Sequence, residues 1–262
     1  MDLGISGKGA LVLASSRGLG LGVAAALVAE GVRVVITGRN EACLQAATAS
    51  LNASGPGSAD YVVCDFAGED AVEALVAGAS ARLNAIDILV NNTGGPPPGS
   101  VLAVTGETWD AQFSAMVRNV FLLTARIVPE MQARGWGRVL TLGSSGVIQP
   151  IPNLGVSNAL RSALVGWSKT LADEVAASGV TVNMLVPGRI HTERVDELDA
   201  AAAKRTGKAV EDVAAASRAS IPIQRYGRIE EFAAVAAFLV SAPASYVTGG
   251  MLRCDGGAIK SV

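Results

Sequence analysis

The residues best suited to chemistry stand in a short turn near the start of the chain. After the apolar run Ala10–Leu13 the sequence reads Ala14-Ser15-Ser16-Arg17-Gly18-Leu19-Gly20. Glycine in such a turn lets the backbone come close to a pyrophosphate. A helix starting near Gly18 adds unpaired N–H groups and the positive end of its dipole. The other reactive side chains are few. His191 is the sole histidine and lies in Pro187-Gly188-Arg189-Ile190-His191-Thr192. An imidazole titrates near neutral pH and suits acid–base work. Cys43, Cys64 and Cys254 are odd in number and far apart. They form neither a disulfide framework nor a metal-ligand pattern, so no metal is expected and a reducing compartment is.

The elements that must carry these residues follow from periodicity. Short apolar runs alternate with longer amphipathic stretches. Strands are expected at Ala10–Leu13, Val32–Thr37, Tyr61–Cys64, Ile86–Asn91, Arg138–Gly143, Val180–Val186 and Met251–Cys254. Helices are expected at about 19–30, up to Leu51, 69–83, 105–134 with a kink at Pro129, 154–177, 193–217 and 230–241. Strands separated by helical runs of this length imply βαβ units and a parallel sheet. Fully apolar strands such as Val34-Val35-Ile36 agree, because parallel strands are covered on both faces. Nothing marks a linker or a repeat. The expectation is one α/β domain over 1–262, a Rossmann-like doubly wound parallel sheet with helices on both faces. Such sheets bind ligands beyond the carboxyl ends of their strands.

Composition excludes several functions. Apolar residues make up 50% of the 262 and charged residues 17%, which excludes a disordered chain. Twenty-one basic and 23 acidic residues leave a net charge of −2 with no basic run, so no nucleic-acid partner is expected. Three uncharged stretches, 88–106, 139–160 and 232–252, are each broken by prolines or Gly-Ser turns, so no membrane span is expected. The start of the chain lacks the pattern of a signal peptide, and a cytoplasmic protein is expected.

The turn at 13–20 resembles T-G-x-x-x-G-x-G, the cofactor loop of the short-chain dehydrogenase/reductase family, with Leu13 for the threonine and Ala14 for the first glycine. The resemblance extends over nearly the whole chain. Asn91-Asn92-Thr93-Gly94 is similar to the family's N-N-A-G. Gly137-Arg138-Val139, Ser144 and Pro187–Thr192 follow in order. Tyr246-Val247-Thr248-Gly249-Gly250 and Asp255-Gly256-Gly257 resemble its Y-I-T-G-Q and D-G-G tail. Within the family the chain resembles the branch of the 3-oxoacyl carrier-protein reductases.

The resemblance implies a nicotinamide cofactor. Its implied contacts are Ser15, Ser16, Arg17, Gly18, Leu19, Gly20, Arg39, Asp65, Phe66, Asn91, Arg161, Pro187, Gly188, Ile190 and Thr192. NAD-preferring members end the second strand with an acid that meets the ribose hydroxyls. Here Gly38 and Arg39 stand in that place, and Arg17 lies in the glycine turn. Two guanidinium groups suit a 2′-phosphate, so NADP(H) is expected over NAD(H).

The family's chemistry uses a serine, an upstream asparagine and Tyr-x-x-x-Lys. No Tyr-x-x-x-Lys exists in this chain. Matching Arg161–Lys169 to the family's K-A-G-L-I-G-F-S-K puts Arg161 at the lysine and Ser157 at the tyrosine, with Ser144 at the serine. Met116 falls at the asparagine, with Asn119 as a displaced equivalent. A serine hydroxyl is far less acidic than a phenol and cannot replace it as proton donor. Arginine stays cationic and can hold ribose hydroxyls. His191, in a loop that touches the carboxamide in the family, is the candidate proton source. The candidate catalytic residues are thus Ser144, Ser157, Arg161 and His191. Residues 193–220 match the family's substrate lid, whose Lys204, Arg205 and Lys208 suit either a solvated helix face or an acidic substrate.

The leading expectation is an NADP(H)-dependent oxidoreductase with an atypical site, acting on a small carbonyl or alcohol. Two others stay open: an NADP(H)-binding protein without hydride transfer, and a non-redox enzyme that reuses the pocket. A homotetramer or dimer is expected, from the long helix 154–177 with Leu160, Leu164 and Trp167 and from the tail 246–257.

Overall fold

The computed structural model describes residues 1–261. Seven strands form one parallel sheet: β1 Gly9–Val12, β2 Arg33–Gly38, β3 Ser58–Val63, β4 Ile88–Asn91, β5 Gly137–Leu142, β6 Val180–Pro187 and β7 Met251–Cys254. Their order across the sheet is β3-β2-β1-β4-β5-β6-β7. β1 lies between β2 and β4, with Val12 level with Ile36 on one side and Val90 on the other. The chain goes one way from β1 to β2 and the other way to β4. That reversal opens a crevice beyond the carboxyl ends of β1 and β4.

Side chains of one strand alternate between two apolar layers, as the two-residue period demands. Ala10, Val12, Val34 and Ile36 join a layer with helices α1 Gly18–Ala29, α2 Glu41–Asn52 and α9 Ile229–Leu239. Leu11, Leu13 and Val35 join the opposite layer, with α3 Ala71–Ser80, α5 Asn119–Ala133 and α6 Gly155–Val175. The expected doubly wound architecture is therefore present, with all seven strands. Among the described residues no helix is long and apolar enough to cross a membrane.

Three local expectations are corrected. The segment 105–134 is not one helix kinked at Pro129. α4 Gly106–Phe113 passes through a π-helical turn, Ser114–Arg118, into α5, which continues through Pro129 to Ala133. The irregular turn thus lies one side of the helix earlier, and π turns are common at functional sites. The lid is two helices, α7 Glu193–Thr206 and α8 Val210–Ala219. Gly207 caps the first in the left-handed conformation at φ +67°, which ends it. Leu160 and Leu164 are buried within this chain, in a cluster with Met116, Val120 and Met184. Trp167 stacks on Phe121 with ring centroids 4.5 Å apart. Leu160 and Leu164 are thus used by the chain's own core, while Trp167 is only partly buried there.

Candidate functional site

The glycine turn lies at the crevice between β1 and β4. Buried Ser15 holds it from inside. Its hydroxyl donates to Val12 O at 2.6 Å and accepts from the Thr37 N–H at 3.0 Å, so the turn is fixed to both β1 and β2. The Ala14 N–H donates to Thr37 Oγ1 and Asn92 Nδ2 donates to Ala14 O, both at 3.0 Å. Ala14 itself adopts φ +45°, the left-handed region where a Cβ is strained and the family pattern has glycine. A Cβ on Gly20 would lie 2.7 Å from Ala14 O, so the first turn of α1 packs directly on the loop. Arg17 occupies the N-cap of α1 without a side-chain cap. The first amides of α1 therefore face the crevice without a capping side chain, a ready site for a phosphate. The space around Gly18 is open on its Cβ side. These residues fit a pyrophosphate.

The side chains expected to meet the adenosine half gather at the ends of β2 and β3. The Cys64 N–H donates to Gly38 O at 2.8 Å and so draws Asp65 toward Gly38 and Arg39. Arg39 and Asp65 are both exposed, and a Cβ on Gly38 would lie 3.3 Å from Ser16 Oγ. Arg17 is not free: its guanidinium pairs with Glu193, the first residue of the lid helix. Both partners are about 70% exposed, at 70% and 68%, so the pair is weak. A bound phosphate can displace Glu193 from Arg17.

The sheet ends at β4 and β6 supply the next layer. Buried Asn91 donates from Nδ2 to Thr124 Oγ1 at 3.1 Å. The Phe66 carbonyl accepts from Asn119 Nδ2 at 2.6 Å. Asn119 thus ties down the loop after β3 and has no amide left for a proton relay. Met116, buried in the π-helical turn, occupies the position of the family asparagine. The segment Pro187–Thr192 is pinned at two points, by the Gly188 N–H on Cys254 O at 3.0 Å and by a bridge between Ile190 and Gly227.

Ser144, Ser157 and Arg161 stand on β5's exit and on α6. Ser144 caps a short 3-10 turn, its Oγ accepting from the Gly146 N–H at 3.1 Å, which leaves the hydroxyl proton to donate elsewhere. Ser157 and Arg161 are four residues apart on α6, hence on one face, and both are about nine-tenths buried. Arg161 Nη1 donates to Leu142 O at 3.2 Å, and Nη2 to Thr93 O at 3.1 Å and Gly94 O at 3.5 Å. Its partners are backbone carbonyls at the ends of β5 and β4. Burial, with the nearby charge of Arg194, pulls its pKa down to about 10, so it remains a cation at neutral pH. Asn158 donates to Ile151 O at 3.0 Å and is likewise spent on backbone.

His191 lies elsewhere. Its Nε2 is 3.3 Å from Asp196 Oδ1 and its ring tilts against Tyr226 at 6.3 Å. It lines a separate cavity with Asp199, Glu211, Arg218 and Tyr226, to which Ser144, Ser157 and Arg161 do not contribute. There the buried Asp199 accepts from Arg189 and from the Tyr226 hydroxyl, both at 2.6 Å. This pair braces the lid, and sequence reasoning missed it. It also missed Arg194, whose Nη2 donates to Pro96 O at 2.7 Å and so joins the lid to the segment Pro96-Pro97-Pro98 after β4. Lys204, Arg205 and Lys208, the cations the sequence singled out, are exposed.

Residues 13–258 match the family model described as Enoyl-(Acyl carrier protein) reductase. Dehydrogenase/reductase SDR family member 4 of Sus scrofa is 35% identical over 254 residues, covering 97% of this chain and 88% of that protein. The 3-oxoacyl-[acyl-carrier-protein] reductase of Escherichia coli is 33% identical over 257 residues, covering 97% and 98%. The structure of L-sorbose reductase from Gluconobacter frateurii, complexed with NADPH and L-sorbose, superposes with a TM-score of 0.94 at 32% identity and covers 100% of both chains.

Ala14 gives a direct check on the turn. Glycine relieves the left-handed strain of about 1–2 kcal/mol but adds unfolded-chain entropy of about 0.4–1 kcal/mol. Ala14→Gly should therefore stabilise the protein by up to about 1.6 kcal/mol in urea denaturation. A lowered midpoint contradicts the assigned conformation.

Proposed function

Because the chain belongs to the short-chain dehydrogenase/reductase family, we propose that it is an NADP(H)-dependent oxidoreductase of small carbonyl or alcohol substrates that works without the family's tyrosine acid. The uncapped N-terminus of α1, at the reversal of the sheet, carries this reading. NADP(H), when bound, supplies or accepts the hydride. The amides of Gly18, Leu19 and Gly20 and the hydroxyl of Ser16 hold the pyrophosphate side. Arg17 and Arg39 grip the 2′-phosphate, and Gly38 leaves room where an acid would repel it. Asp65, Phe66 and Asn91 border the adenosine side and the floor, and Pro187, Gly188, Ile190 and Thr192 border the nicotinamide.

The remaining chemistry belongs to a fixed charge. Arg161 cannot give up a proton at neutral pH, so it positions and polarises. Its buried guanidinium stabilises negative charge that develops on a substrate oxygen, as preorganised donors do in other sites. Ser144 offers a hydroxyl proton to the same oxygen. Ser157 lacks the acidity to donate one, and His191 lines a separate cavity with Asp199 and Tyr226. Water in the cleft is then the proton source. Arg161 also helps to anchor the ribose, through whichever of its five donors the carbonyls leave free.

The exposed edge of the sheet suits an assembly. β7 shows Met251 and Leu252 about half exposed, and Tyr246 beside it is fully exposed. We take this edge, with the outer face of α6, as the contact of a homodimer or homotetramer. The three cysteines are unpaired, in keeping with a cytoplasmic setting.

Fluorescence titration checks the cofactor: NADPH should bind at least tenfold tighter than NADH at physiological salt, and Arg39→Ala should remove most of that preference. Tighter NADH binding contradicts the assignment. Steady-state turnover checks the acid. Ser157→Ala and His191→Ala should each cost roughly tenfold or less in kcat, the scale of about 1.4 kcal/mol. Abolished turnover in Ser157→Ala with fold and cofactor affinity intact would falsify the reading of that position. A large loss in His191→Ala would restore the imidazole as donor. Light scattering should give a mass at least twice the 26.5 kDa chain, and a monomer at micromolar concentration contradicts the assembly.

A further inference from the structure

We propose that the cleft takes a substrate bearing its own carboxylate, and that Arg194 is the side chain that meets this group. The proposal rests on the reading of the cleft as the oxidoreductase site and adds its substrate class.

Two guanidinium groups converge on one short stretch of backbone. From α6, Arg161 Nη2 donates to Thr93 O and Gly94 O. From α7, Arg194 Nη2 donates to Pro96 O, and a Cβ built on Gly95 would lie 3.6 Å from that same nitrogen. The two cations are close enough that Arg194 makes the charge of Arg161 less favourable. Residues 93–96 are thus bracketed by positive charge from both sides.

Little opposes that charge. Arg161 is nine-tenths buried and its partners are carbonyls only. The acid beside Arg194 is Glu197, on the same helix, with Arg194 Nη1 donating to it at 3.1 Å. Glu197 is 53% exposed, and an exposed pair of this spacing contributes little. Thr93 adds a buried hydroxyl that has no hydrogen-bond partner. A site with one buried cation that no carboxylate meets, and a second held only by an exposed acid, attracts anions. A guanidinium edge matches the two oxygens of a carboxylate, and a cation paired with an incoming anion recovers part of its desolvation cost.

Arg194 is also the more exposed half of the pair. Arg161 is fixed in the floor, whereas Arg194 sits in the first turn of the lid, on the element that covers the substrate in this reading. A carboxylate between them would draw the lid onto the cleft. The residue is therefore expected to select the substrate rather than to take part in bond making.

The test is a binding measurement on the NADP+ complex, which has no hydride to give to a 3-oxo acid. Isothermal titration uses 3-oxobutanoate, 3-oxohexanoate and 3-oxooctanoate, each against its methyl ester, with acetyl phosphate as a competing anion class. At least one acid should bind tenfold or more tighter than its ester. Arg194→Gln should shrink that gap below threefold with the NADP+ affinity unchanged, and Arg194→Lys should recover part of it. Equal binding of acids and esters overturns the proposal. So does a gap that survives Arg194→Gln, or tighter binding of acetyl phosphate than of every acid. The readout does not depend on turnover. An acid preference without NADPH oxidation would defeat the oxidoreductase reading and leave this one standing.

Discussion

A cation held away from water at the floor of the cleft is the constraint on which the site depends. Arg161 replaces a lysine of the family pattern, but it does not do a lysine's work in the same way. The longer, planar group reaches carbonyls at the ends of two neighbouring strands, Leu142 after β5 and Thr93 and Gly94 after β4. A single ammonium would present a point charge without that fork. The guanidinium therefore braces the sheet edge and at the same time keeps a permanent positive charge in the cleft. Burying an ion costs roughly several kcal/mol unless it is compensated, so a site retaining one without a carboxylate favours anionic partners or anionic intermediates.

Other departures from the family pattern fit around this charge. In the proposed reading the fixed cation polarises the substrate without a phenolic acid, and position 157 carries a small buried hydroxyl. Met116 fills the π-helical turn with an apolar side chain where the pattern has an amide. On this match of residues the proton relay that the family pattern implies is absent at both ends, while the cofactor turn is kept. Kept does not mean unchanged: Ala14 adopts the backbone conformation of the glycine it replaces, held there by hydrogen bonds through its own N–H and C=O.

Much of this was legible in the sequence. All seven strands were, because parallel strands are short apolar runs with helices between them. The turn before α1 was legible because glycine spacing and a strand-to-helix boundary coincide there. The π-helical turn was not, since its extra residue only shifts the apolar stripe by about a quarter-turn, within the scatter of a short segment. Pro129 looked like the place for a kink, yet the helix runs on through it. The break in the lid was visible in principle: Gly207 is a helix-ending glycine that an alanine-rich pattern hid. Leu160 and Leu164 were read as surplus because periodicity shows that a face is apolar, not what covers it. Arg194 and the Asp199–Tyr226 pair were missed for a related reason. Long-range partners such as Pro96, 98 residues away, have no local signal.

The central claim is that one crevice, opened by the reversal at β1 and β4, holds NADP(H) over a floor charged by Arg161. A crystal structure of the NADPH complex tests it most directly. The account predicts the pyrophosphate on the amides of Gly18–Gly20, the 2′-phosphate between Arg17 and Arg39 with Glu193 released, and the nicotinamide ribose above Arg161. A dinucleotide bound elsewhere, or one whose nicotinamide lies away from Arg161, would contradict it.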